Sequence, residues 1–158
     1  MRRLLIALIL GPVLSAQQTH VVPHTLADSE GPASTDVVGC GTEGTMQFLI
    51  AASHLQPLAG RTIVGLRFRR DGTWLAALPQ SNSQIVVRIG AAARDPADPS
   101  PDLGVNLPSP QQVFSGTLST APMPAIAGYV GWVDPHVVEI PFTSGFSYSQ
   151  GPLAIEIT

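Results

Sequence analysis

Within Thr62-Ile63-Val64-Gly65-Leu66-Arg67-Phe68-Arg69-Arg70, the residues from Val64 to Arg69 alternate between large apolar side chains and glycine or arginine. Val64, Leu66 and Phe68 fall on one side, and Gly65, Arg67 and Arg69 on the other. A period of two belongs to a β-strand with one dry face and one wet face. The same alternation recurs on both sides of this stretch. Met46, Phe48 and Ile50 share a face opposite Gln47, and Ile85, Val87 and Ile89 share a face opposite Arg88. Val113 to Thr120 turns Phe114 and Leu118 inward, Val137 to Phe142 turns Val138, Ile140 and Phe142 inward, and Leu153 to Ile157 turns Glu156 outward. Strands with one polar face build antiparallel sheets packed face to face, so the pattern predicts an all-β fold, an antiparallel β-sandwich of jelly-roll type.

Turns separate these runs. Asp71-Gly72, Ser81-Asn82-Ser83 and the proline-rich stretch from Arg94 to Pro110 are expected to connect strands. The chain has 15 glycines and 15 prolines, and no window sustains a period of 3.6, so at most one short helical turn is expected. Met1-Arg2-Arg3 and the apolar run Leu4 to Leu14, ending in Ser15-Ala16-Gln17, have the order of a secretory signal. The apolar run is about 11 residues, against the roughly 20 that span a bilayer, and Gly11-Pro12 interrupts it. Residues 1–16 are therefore expected to be a signal peptide and residues 17–158 a single domain, secreted, extracellular or on the cell surface, with no stable membrane span in the mature chain. Leu153 to Thr158 breaks off inside a strand pattern, which leads to the expectation that the domain is incomplete at its C-terminus.

Loss of Arg2 and Arg3 with the signal lowers the basic count from 8 to 6 against 11 acidic residues, a net charge of −5. An acidic chain lacks the basic footprint of a nucleic-acid partner. Cys40 is the sole cysteine, so no internal disulfide framework forms and the apolar core must hold the domain together.

Several short elements accompany the strands. They are His20-Val21-Val22-Pro23 with Ala27-Asp28-Ser29-Glu30-Gly31, Met46-Gln47-Phe48 with Ala52-Ser53, and Ile63 to Phe68 running into Arg69-Arg70-Asp71-Gly72. Phe114-Ser115-Gly116, and Ile140-Pro141-Phe142 through Phe146-Ser147-Tyr148 to Gly151-Pro152-Leu153, complete the set. Together they span nearly the whole mature chain, which resembles a group of poorly characterised exported β-sandwich domains of planctomycetes and similar bacteria. The resemblance implies a surface or extracellular module and brings no catalytic residues with it.

Gly39-Cys40-Gly41-Thr42-Glu43-Gly44 has the G-x-G-x-x-G spacing of a dinucleotide loop, but the stretch after Gly44 reads as strand rather than helix, so the motif is expected to be a turn. Asp95, Asp98 and Asp102 gather oxygen ligands on one loop and are candidates for Ca²⁺, although their spacing matches no EF-hand and the prolines among them equally describe a stiff connector. His20, His24, His54 and His136 form neither H-E-x-x-H nor a close pair on one strand face, so no metal role is expected of them. No G-x-S-x-G elbow occurs. Trp74, Tyr129 and Trp132 are the binding candidates: in loops, their flat rings can stack on sugars or anchor a protein partner, or they can cap the ends of the core, which is the expected role. Arg67, Arg69, Arg88, Glu139 and Glu156 point outward and are expected to stay solvated rather than pair. These features favour a non-catalytic extracellular or cell-envelope module with a structural, adhesive or binding role and an unidentified protein or glycan partner. The alternative is an exported hydrolase whose triad assembles from separate loops.

Overall fold

Side-chain alternation becomes strand at all six places. The strands are β1 (Met46–Ile50), β2 (Arg61–Arg69), β3 (Ser81–Ala91), β4 (Gln111–Thr120), β5 (Val137–Tyr148) and β6 (Leu153–Ile157). The computed structural model describes residues 18–29, 44–73 and 75–158. Residues 1–16, expected to be a signal peptide, lie outside them, as do Cys40, most of the Gly39–Gly44 motif and Trp74. The strands form a four-stranded sheet of order β1-β6-β3-β4 and a two-stranded sheet of β2 and β5, with every pairing antiparallel. The protein is an all-β antiparallel sandwich. A jelly roll has eight strands in two Greek keys; six are present among the described residues. No described helix is long and apolar enough to cross a membrane.

The core comes from the inward-facing rows. Phe48, Ile155 and Ile89 lie side by side across β1, β6 and β3, with Met46, Ile157 and Val87 forming the next row. Val87, Ile89, Val113 and Ile140 are completely buried. Each such aliphatic side chain stabilises the fold by about 1.5–3 kcal/mol relative to exposure. The facing sheet contributes Val138, Ile140, Leu66 and Phe68. The rings of Phe48 and Phe68 meet across the interior with centroids 5.6 Å apart.

Two irregularities change the facing predicted from strict alternation. In β2 the register shifts between Ile63 and Gly65, so Ile63 packs against the core while Val64 leaves it and is 43% exposed. Between β3 and β4 the shift falls at Val87 and Arg88, and the extra residue on β4 is the fully buried Val113, while Phe114 and Leu118 keep their inward facing. On β5 the four residues Phe142 to Gly145 lie opposite the single Val64, and on β4 Val113 is one extra residue; such insertions in one strand of a pair let both parities serve the same core.

The turn expected at Ser81–Ser83 is instead the start of β3. Ser81, Asn82 and Ser83 pair with Thr120, Ser119 and Leu118 of β4, and Ser119 Oγ donates to Asn82 Oδ1 at 2.7 Å. Polar residues that usually mark turns remain strand here because a long partner strand satisfies their backbone and side chains together. The expectation of at most one helical turn is also corrected: α1 (Ala52–Leu55) and α2 (Leu103–Asn106) are each one turn, and 3-10 turns occur at His24–Leu26 and Gln56–Leu58.

The proline-rich segment containing α2 folds back over the outer face of the four-stranded sheet. Asn106 is buried at its centre; its Nδ2 donates to Gln47 Oε1 and to the Ser100 carbonyl, each at 2.9 Å, and its Oδ1 accepts from the Ser100 amide. Leu107 seats against Gly90 of β3, where an added Cβ would lie 2.9 Å from Leu107 Cδ1 and 3.0 Å from the Ser109 carbonyl oxygen. Gly90→Ala is therefore expected to cost about 1–3 kcal/mol through overpacking. Gly131, which has open space at the same position, should tolerate alanine with little change. Urea denaturation of the two variants checks this, and equal midpoints would show that the segment does not press on the sheet.

Beneath this cover, Arg88 pairs with Glu156 on the neighbouring strand at 3.0 Å, and on the other sheet Arg67 pairs with Glu139 directly opposite at 2.9 Å. These outward charges, expected to stay solvated, are thus cross-strand ion pairs, a short-range consequence of register. Partly exposed pairs of this kind are worth about 0–1 kcal/mol each.

Candidate functional site

The end of β2 sends two arginines in opposite directions, because successive strand residues face opposite sides. Arg70 turns inward and is 2% exposed, with its guanidinium donating to the carbonyls of Ala76 and Pro124. Its amide donates to the His136 carbonyl at 2.8 Å. One buried cation thereby gathers the segment after β2 and the β4–β5 connection.

Arg69 turns outward into that same connection. Its guanidinium carbon lies 4.7 Å from the centre of the Tyr129 ring and 5.1 Å from that of Trp132, both within cation–π range. Its Nη1 donates to Tyr129 Oη at 3.1 Å and towards the Leu26 carbonyl at 3.4 Å, and its Nη2 donates to the Ser29 carbonyl at 2.7 Å. Trp132 Nε1 donates to the Ala27 carbonyl at 3.1 Å. The cluster therefore fixes the two rings and holds residues 26–29 by their main chain.

Of the three aromatic candidates, the structure brings together Tyr129 and Trp132. Tyr129 is 45% exposed and Trp132 is partly buried. Leu75 and Val133 stand exposed on the adjoining segments, and the Ile126 amide donates to the Leu75 carbonyl at 3.0 Å. Local sequence does not single out Arg69 as the centre of this arrangement, because it reads as the last outward residue of an alternating strand. Nothing in that spacing links it to a ring 60 positions away.

The aspartates of the 94–110 segment make local hydrogen bonds. Asp95 Oδ1 accepts from the Ala97 amide at 2.8 Å, and Asp102 Oδ1 caps α2 by accepting from the Gly104 amide at 2.9 Å. Among the described residues, no group of three or more histidine, cysteine, aspartate or glutamate side chains is placed to hold a metal ion. Three of the four histidines nonetheless converge: His20 Nε2 lies 2.9 Å from the His54 carbonyl oxygen, and the rings of His24 and His54 have centroids 6.4 Å apart.

A shallow depression of about 500 Å³ opens at α1, between Ala52, Gln56, Ala59, Tyr148, Gln150 and Gly151. The Tyr148 hydroxyl donates to the Gly151 carbonyl at 2.6 Å, and burial pushes its pKa up. It holds the turn before β6. No family model, curated protein or solved structure matches the chain.

Proposed function

We propose that the chain is a secreted, non-catalytic β-sandwich module that recognises a protein or glycan partner with the loop end carrying Tyr129, Trp132 and Arg69. The supporting observation is the half-exposed Tyr129 ring, immobilised against Arg69 and flanked by the exposed Val133. An aromatic face that is already ordered gives up little conformational freedom on binding, and rigid aromatics beside an arginine are the residue types that dominate recognition surfaces. This mode of binding calls for no cofactor.

Two substitutions divide recognition from support. Tyr129→Ala should abolish binding on a glycan array or in a partner capture assay, with the denaturation midpoint almost unchanged. Trp132→Ala should lower stability by about 1–2 kcal/mol, because it removes partly buried ring area and the hydrogen bond to Ala27. Unaltered binding by Tyr129→Ala would end the proposal.

A further inference from the structure

The histidine cluster has no part in the proposed recognition surface. His24 lies on the 3-10 turn of the 18–29 segment, and His54 lies on α1, thirty residues later. Their rings are inclined at 56° with centroids 6.4 Å apart. A cation bound to one nitrogen of each ring at about 2.0–2.1 Å in tetrahedral geometry would bring the centroids to about 5 Å. The difference is within the side-chain freedom of the exposed His24. His20 adds a fixed point, its Nε2 lying 2.9 Å from the main-chain carbonyl of His54, which holds the segment beside α1. Imidazole pairs suit late first-row divalent cations, whereas Ca²⁺ and Mg²⁺ require oxygen ligands.

We propose that His24 and His54 form a two-imidazole site for such a cation, Zn²⁺ being the probe of choice, with water completing the coordination. The bound ion staples residues 18–29 to α1. Calorimetric titration of the purified protein with Zn²⁺ at neutral pH should give one site per chain. Both His24→Ala and His54→Gln should weaken it by an order of magnitude or more, while His136→Ala leaves it unchanged. His24 is exposed, so its replacement tests the site without threatening the fold. Zn²⁺ should also slow chymotrypsin cleavage after Leu26 in the unaltered protein and have no such effect on His24→Ala. Absence of stoichiometric binding by the unaltered protein, or equal binding by His24→Ala, would overturn the proposal.

Discussion

Arg70→Met is expected to lower the free energy of unfolding by about 3–5 kcal/mol, because each hydrogen bond from a charged donor contributes roughly 1.5–3 kcal/mol and the guanidinium donates to two carbonyls on different segments. Methionine keeps much of the apolar stem and fills similar space, so the loss isolates the donors rather than the volume. Removing them leaves the Ala76 and Pro124 carbonyls desolvated without that partner, at the point where the segment after β2 meets the β4–β5 connection. Arg70→Lys should fall between, since one ammonium lacks the planar fork that spans two acceptors. Chemical denaturation monitored by fluorescence gives the ordering. A loss below about 1 kcal/mol for Arg70→Met would mean that water replaces the guanidinium freely, contrary to its 2% exposure.

Ile140→Ala should cost about 2–5 kcal/mol, the range for deleting an aliphatic side chain from a packed interior. Ile140 is completely buried on β5 opposite Leu66, so little relaxation is available to fill the cavity. Its partner measurement is Val64→Ala. Strict alternation predicts Val64 in the core; the register shift at Ile63/Gly65 puts it outside, and its truncation should cost less than about 0.5 kcal/mol. Comparable losses at the two positions would restore the unbroken alternation and refute the bulge.

Val64 shows where reading from sequence stops. Period two located all six strands and the inward facing of Leu66, Phe68, Val138 and Ile140, because one buried face imposes that period whatever the partner strand is. Bulges belong to the pair rather than the strand, so neither Val64's exposure nor Val113's burial is written in local spacing. Ser81–Ser83 reads as a turn by composition and becomes strand because β4 is long enough to pair with it. At the candidate site, Tyr129 and Trp132 were legible as loop aromatics beside Gly128 and Gly131. Arg69 was not, and neither was the meeting of His24 with His54, since both depend on how segments distant in sequence come together in space. Asn106, which anchors the proline-rich segment, carries no distinguishing local signal.

The departure of β5 from β2 governs how the molecule can open. Between Pro141 and Phe146 the ladder to β2 is interrupted. There Thr143 Oγ1 donates to the Val113 carbonyl at 2.9 Å, Ser144 Oγ reaches towards that of Gln112 at 3.4 Å, and Gln111 Nε2 donates to that of Gly145 at 3.2 Å. A single strand is thus stitched to both layers. Detaching the two-stranded layer requires tearing this seam from β4 as well, so amide protons of β2 should exchange with solvent through the same global opening event as those of β3, and the two layers should unfold as one cooperative unit.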